Sequence, residues 1–232
     1  MTATDADPDP SAALVSVVVP VYDGERYLAQ CLDSLVAQDH PAIEIVVVDD
    51  GSADRSATIA DSYPEARVLR RPHEGLGATR NAGVAAATGE LVGFCDADDW
   101  WKPHKASTQV AYLAAHPDVD IALCRQDTHF EPGTDRPDWL IPDQRYGDLD
   151  GVSATSGLFR RAVFEQLQYR TDMATGSDFN LLVQARAAGF GIEVLDESLR
   201  VRRIHGASMS DREGPAFDQM FQTVREHLRQ QR

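Results

Sequence analysis

Positive charge is scarce in this chain. Its 232 residues carry 22 lysines and arginines against 37 aspartates and glutamates, a formal net charge of −15. A protein that tracks nucleic-acid backbones needs the opposite balance, so binding through a basic face is excluded. Cysteine is scarce as well. Cys31, Cys95 and Cys124 are far apart in sequence, odd in number and form no Cys-x-x-Cys pair. That argues against a disulfide framework and for reduced, mostly buried thiols in a reducing compartment. The seven histidines form no closely spaced ligand cluster, which excludes a structural zinc site of the usual kind. No apolar run approaches the roughly 20 residues that span a bilayer. Residues 1–12 are polar and acidic, with Pro8 and Pro10, and lack the basic start and apolar stretch of a signal peptide. They read as a flexible N-terminal tail on a cytoplasmic protein, with peripheral contact to a membrane left open.

What the chain does contain is strand–helix alternation. Residues 14–21 read LVSVVVPV, a nearly continuous β-branched run of the kind that forms a strand buried on both faces. A polar turn at 22–25 follows, then Leu28, Cys31, Leu32, Leu35 and Val36 at helical spacing. Residues 43–48 predict a second buried strand, 54–62 a short helix with Asp54 near its N-cap, and 66–69 a third strand. Residues 75–88 read as a small-residue helix. Gly83 within it costs about 1 kcal/mol relative to alanine, which calls for close packing or a local distortion. Residues 91–95 predict a strand, 102–116 a helix and 119–124 a strand. This alternation indicates an α/β sheet with right-handed crossovers. Residues 127–151, with Pro132, Pro137 and Pro142, read as a long surface loop. Strands are expected at 153–159, 191–195 and 199–204, and helices at 162–167 and after a Ser177 cap. Phe217, Met220, Phe221, Val224 and Leu228 mark an amphipathic C-terminal helix.

Two of the predicted strands end in acids, Asp49-Asp50 and Asp96-Ala97-Asp98-Asp99. In an open α/β sheet, ligands collect beyond the carboxyl ends of the strands. The carboxylates therefore converge on one crevice. Like charges held close cost free energy unless a cation or donors compensate, and magnesium or manganese suits oxygen ligands. Such an ion would also reconcile the acidity with a phosphate-bearing ligand by bridging the two. After the first strand the chain reads Pro20-Val21-Tyr22-Asp23-Gly24. It lacks the Gly-x-Gly-x-x-Gly of a dinucleotide dehydrogenase. It also lacks the glycine-rich loop with Arg and Lys that a sugar-nucleotide-forming nucleotidyltransferase carries there.

The chain resembles a family 2 glycosyltransferase of the GT-A fold. The matching blocks are VSVVVPVYDGERYLAQCLDSLVAQ at 15–38, IEIVVVDDGSADRS at 43–56 and LGATRNAGVAAATGELVGFCDADDWW at 76–101, in the family's order and at its separations. GSDFNLLVQA at 176–185 and VRRIHGASMS at 201–210 resemble its second half. The resemblance implies a Rossmann-like nucleotide-diphospho-sugar transferase fold, with a mostly parallel central sheet flanked by helices. It implies one domain over 13–232, with a nucleotide-sugar-binding half at 13–125 and an acceptor-binding half at 126–232. It further implies inverting, metal-dependent transfer of a sugar from a nucleoside diphosphate, a UDP-sugar by default. The acceptor is left open among a glycan, a lipid-linked sugar, a natural product and a peptide, and a homodimer is left open too.

The resemblance also assigns residues. Asp98 matches the direct ligand of Mn2+ or Mg2+, and His205 completes the metal site or meets the diphosphate. Asp96 matches a ribose contact or an outer position on the metal. Asp50 falls near the uracil or ribose, with Asp49 beside it. Pro20, Tyr22 and Glu25 match the first loop around the nucleotide, with the Tyr22 ring against the base. Arg80 lies in the Arg-Asn-x-Gly stretch. It either approaches the donor, holds the nucleotide loops, or makes a salt bridge to a nearby aspartate. Asp178 matches the general base, and its place at a helix start is expected to lower its basicity. The family often has Glu-Asp where this chain has Ser177-Asp178, so one acidic neighbour is missing. Arg202 and Arg203 serve the diphosphate or are solvated. Trp100 and Trp101 form a sugar platform or pack, and Trp139 is a weaker acceptor contact. The alternative reading is a catalytically inactive glycosyltransferase-like nucleotide-binding or scaffold protein.

Overall fold

The computed structural model describes residues 13–135, 153–173 and 176–206. The expected tail at 1–12, most of the 127–151 loop with Trp139, and the amphipathic stretch at 217–228 lie outside the described residues.

The elements in chain order are β1 (Val15–Val21), α1 (Leu28–Val36), β2 (Ile43–Asp49), α2 (Ser56–Asp61), β3 (Ala66–Arg70), α3 (Leu76–Ala86), β4 (Leu91–Phe94), β5 (Trp100–Trp101), α4 (Lys105–Ala115), β6 (Ile121–Phe130), β7 (Leu158–Arg160), α5 (Ala162–Gln166), α6 (Ser177–Ala187) and β8 (Ile192–Ile204). The strands form one sheet in the order β3-β2-β1-β4-β7-β6-β8-β5. The first four are mutually parallel. β7 enters antiparallel to both β4 and β6, β8 runs parallel to β6, and β5 closes the far edge antiparallel to β8.

Every residue of β1 is buried, as its apolar run predicts. Val15, Val17, Val19 and Val21 face one core with Leu28, Cys31, Leu32 and Leu35 of α1. Val18 faces the other, with Phe94, Phe159, Leu181 and Leu182. The period of two thus divides the helices into two layers. Pro20 lies inside β1, opposite Val48, and not in the loop after it. A proline in a central strand removes a ladder donor. Here the missing donor lies on the β4 side, where pairing stops at Val18–Phe94, so no hydrogen bond is forfeited.

Four expectations change. Strand β6 continues to Phe130, paired along β8, so the first part of the expected loop is sheet. The two strands expected at 191–195 and 199–204 are one, because a register irregularity near Arg125 absorbs the extra residues of β8. Residues Ala154–Ser156 form a 3-10 turn and not a strand. There Ser153 O accepts both the N–H and the hydroxyl of Ser156, a local bonding pattern that competes with a ladder. Helix α6 begins one residue early: Gly176, with φ of 75°, occupies the N-cap, and Ser177 is already helical. Asp54 precedes helix α2 and its N-cap Arg55, yet its Oδ1 still accepts the N–H of Ser56 at 2.9 Å.

Strands β4 and β5 are joined by residues 95–99 alone, although β7, β6 and β8 lie between them in the sheet. The half-sheet curls accordingly, and the Trp101 ring lies over Gly93, where a Cβ would come within 2.8 Å of it.

Close packing explains Gly83. A Cβ there would sit 2.2 Å from Cγ1 of Val18, a β-branched side chain with little freedom to yield. Gly83→Ala gains about 1 kcal/mol of helix propensity but overpacks the α3–β1 contact at a cost of about 1–3 kcal/mol. Urea denaturation is expected to show Gly83→Ala less stable than the parent, and Val18→Ala combined with Gly83→Ala less damaging than the two effects summed.

Lys105 is fully buried at the start of α4. Its Nζ donates to Gln109 Oε1 at 2.5 Å and to Ser156 O at 3.1 Å, and lies 4.1 Å from the Trp101 ring centroid. Burial pushes its pKa from 10.5 down to about 8. Between those values the unfolded chain holds a proton that the fold gives up, so this group adds stability as pH rises from about 8 to 10.5. Below that window the buried charge carries its full cost, on the order of 3 kcal/mol. The stability difference between the parent and Lys105→Met is therefore expected to shift by about that amount, in the parent's favour, between pH 7.5 and 10.5 in denaturant titrations.

Candidate active site

The carboxyl ends of β1, β2 and β4 bring three loops together. The loop after β1 is laced to the loop after β2. Asp23 N–H donates to Ser52 Oγ, Gly24 N–H to Ser56 Oγ and Glu25 N–H to Asp54 Oδ2, all at 2.9–3.0 Å. In return Asp23 Oδ1 accepts Ala53 N–H, and Glu25 Oε2 accepts Arg55 N–H and Nε–H. Asp23 adopts φ of 49°, a left-handed conformation that aspartate tolerates better than most side chains. Asp49 Oδ1 accepts Ser52 N–H at 3.1 Å. Asp50 is buried, and its two oxygens accept the N–H groups of Glu74 and Gly75 at 2.9 Å each. It thereby fixes the loop that opens α3. Tyr22 is half exposed on the rim of these loops.

At the centre lies Arg80 of α3, 1 % exposed. Its Nη2 donates to Asp96 Oδ1 at 2.8 Å and its Nη1 to Asp178 Oδ1 at 2.9 Å. The guanidinium stacks near the Tyr169 ring, 5.1 Å from the centroid. Of the alternatives open for Arg80 in the sequence, the salt bridge is the one seen, doubled. Burial works against its charge, but the two carboxylates overcome that and raise its pKa. Burial likewise pushes the Asp96 carboxyl up, and Arg80 outweighs it to hold Asp96 below its ordinary value. Asp178 goes the other way. Burial raises its pKa, Arg80 opposes, Asp96 adds to the rise, and the net direction is up. The helix start was expected to lower its basicity; loss of water and a neighbouring carboxylate outweigh the helix dipole.

Asp98 stands beside this bridge, 3.1 Å from His205 through Oδ2 and Nε2. Its side chain is 37 % exposed and, among the described residues, its carboxylate pairs with no arginine. Asp99 turns inward to Arg200 and accepts the N–H of Arg203 at 2.8 Å. Arg203 is buried and therefore not solvated. Trp101 is a packing residue, 2 % exposed, while Trp100 stacks under Arg203.

The donor chemistry can be tested against a divalent ion. Among the described residues, no group of three or more His, Cys, Asp or Glu side chains forms a cage. Magnesium and manganese in phosphate-handling sites are commonly held by one or two protein ligands plus the substrate's phosphates. One accessible carboxylate beside an imidazole fits that pattern, and the nitrogen suits manganese somewhat better.

Sequence reasoning missed His73. Its ring stacks on Tyr22 at 4.1 Å and its Nδ1 lies 2.8 Å from Asp50 Oδ2. Its place two residues before Gly75, at the strand-end side of the sheet, is a signal that could have found it. Arg200 and Glu131 were missed too. Their partners lie far away in sequence, and no local pattern marks them.

The architecture is the GT-A fold. The chain belongs to Glycosyl transferase family 2, whose family model matches residues 16–169. It is 34% identical over 214 residues to the uncharacterized glycosyltransferase alr2836 of Nostoc sp., covering 84% of this chain and 66% of that one. Among solved structures it is similar to S. aureus TarS 1-349 in complex with UDP-GlcNAc, with TM-score 0.74, 23% identity, and coverage of 91% of this chain and 64% of that one. It is also similar to the mannosyltransferase PcManGT of Pyrobaculum calidifontis in complex with GDP-Man and Mn2+, with TM-score 0.67, 23% identity, and coverage of 88% and 61%. The chain thus spans about two thirds or less of the length of these relatives.

Removing one member of a buried ion pair costs about 3–5 kcal/mol. Arg80→Ala leaves Asp96 and Asp178 facing each other, so a loss of that order is expected in urea denaturation at pH 7.5. Both carboxyls would then sit above their unfolded values, so part of the loss should be regained at pH 5.

Proposed function

We propose that the protein is an inverting glycosyltransferase that uses a divalent ion to move a sugar from a nucleoside diphosphate, with a UDP-sugar as donor, to an acceptor hydroxyl. The observation that carries this reading is the adjacency of two units at the strand ends: the Asp98–His205 pair and the Asp96–Arg80–Asp178 bridge. The UDP-GlcNAc and the Mn2+ bound by the similar structures support the donor class and the ion.

Each residue then has a task. Asp98 and His205 hold Mn2+ or Mg2+, which when bound stabilises the negative charge that develops on the departing diphosphate. Asp50 and the loops it shapes, with Pro20 beneath and Glu25 at the rim, seat the nucleoside, and Tyr22 offers its exposed ring to the base. Asp96 faces the ribose side of the same crevice. Asp178 takes the proton from the acceptor hydroxyl as that oxygen attacks the anomeric carbon. A raised pKa suits that role. Arg80 keeps Asp178 charged and aimed. Direct attack without a covalent intermediate inverts the anomeric centre.

The test is a screen of the purified protein against UDP-, GDP- and dTDP-sugars with manganese, following donor hydrolysis so that no acceptor is needed. Turnover of a UDP-sugar that stops on chelation is expected. Asp98→Ala should abolish it. Asp178→Asn should keep nucleotide binding and lose about 10²–10⁴-fold in turnover. Full metal-dependent turnover by Asp98→Ala would overturn the metal assignment. Nucleotide binding with neither hydrolysis nor transfer would point to the inactive binding protein instead.

A further inference from the structure

Arg203 has the sequence context of a diphosphate contact, but its surroundings leave it no freedom to be one. Its side chain is 4% exposed. Nε donates to the main-chain O of Asp98 at 2.8 Å, Nη2 to Gln30 Oε1 at 2.6 Å, and Nη1 to Glu131. The guanidinium lies between two rings, 4.4 Å from the Tyr27 centroid and 4.7 Å from that of Trp100. Each of its side-chain nitrogens thus has an acceptor, and two aromatic rings pack against it. Reaching a phosphate would break all of these contacts at once.

What this cage does is hold Asp98 and His205 in relation to one another. The Arg203 side chain grips the carbonyl of Asp98, and its own N–H grips Asp99 Oδ1 at 2.8 Å. The Asp98–Asp99 peptide is therefore pinned from one residue of β8. His205 lies two positions further on, the spacing that returns side chains to the same face of an extended chain. Its ring packs against Tyr27, centroids 4.8 Å apart, the same ring that covers Arg203. One guanidinium thus fixes the backbone behind the carboxylate and, through Tyr27, the imidazole in front of it.

We propose that Arg203 is a positioning residue that sets the alignment of Asp98 with His205, and so governs affinity for the divalent ion without touching the donor. This rests on the reading of Asp98 and His205 as metal ligands. Groups that orient metal ligands typically govern affinity by about 10–100-fold.

The experiment is calorimetric titration of Mn2+ into the full chain saturated with UDP, alongside UDP titration in the presence of a chelator. Arg203→Lys, which keeps a charge but loses the planar fork and its stacking, is expected to weaken Mn2+ binding about tenfold or more while leaving metal-free UDP binding unchanged. Tyr27→Leu, which leaves the Glu131 ion pair in place but removes the shared ring, should weaken Mn2+ in the same direction. It serves as the independent test if Arg203→Lys fails to fold. Unchanged Mn2+ affinity in a folded variant overturns the proposal, as does an equal loss of metal-free UDP binding. Failure of the underlying metal reading would be recognised separately, as an unsubstituted protein whose UDP binding shows no response to Mn2+.

Discussion

A guanidinium taken wholly out of water has to find its counter-charges inside the protein. Arg80 finds them on two segments that are remote in sequence, the loop after β4 and the first turn of α6. The desolvation cost of such a group is several kcal/mol and is recovered only with good geometry on both sides. The two halves of the chain are therefore not free to settle independently. The placement of Asp178 against Asp96 follows from satisfying one buried charge. The same contact makes the two carboxyls diverge, one held down and the other pushed up, although they share a partner.

The chain's acidity acquires a finer meaning in that light. The aspartates at the strand ends do not simply add up to a negative crevice. Asp96 and Asp178 share Arg80, Asp99 takes Arg200, and Asp50 is bonded to main-chain amides. Asp49 likewise accepts a main-chain amide, and among the described strand-end aspartates the carboxylate that remains for a cation is that of Asp98, with its imidazole neighbour. A site in which several carboxylates are already neutralised by arginine can admit a diphosphate more readily than a bare acidic cluster would, because less repulsion has to be offset on entry.

Much of this was readable from local pattern. The β-branched runs of β1 and β2 announced strands buried on both faces, and acids directly after apolar runs announced the crevice, because both signals lie within a few residues of one another. Gly83 announced a close approach but not its partner. The failures share a different character. Arg203 reads as a diphosphate contact or a solvated residue, and Arg200 carries no signal at all, until Glu131 and Asp99 are brought to them from far away in sequence. The 3-10 turn at Ala154–Ser156 depends on serine side-chain bonding that a β-propensity argument does not count. The basicity of Asp178 was misjudged because the helix dipole is visible in sequence, whereas burial and the nearness of Asp96 are not.

The connection of β4 to β5 by residues 95–99 acts as a chord across an arc. Three strands lie along the arc between its ends, and the chord carries Asp96 and Asp98. Arc and chord are coupled where the Trp101 ring, just past the chord, lies over Gly93, just before it. Within the chord Asp99 N–H donates to Asp96 O at 3.0 Å, so this turn sets the spacing of the two carboxylates, while the Trp101 ring over Gly93 ties the turn's two ends to the curl of the half-sheet. Fine adjustment of this site is available through core packing beneath the sheet, with no change to any side chain that faces the crevice.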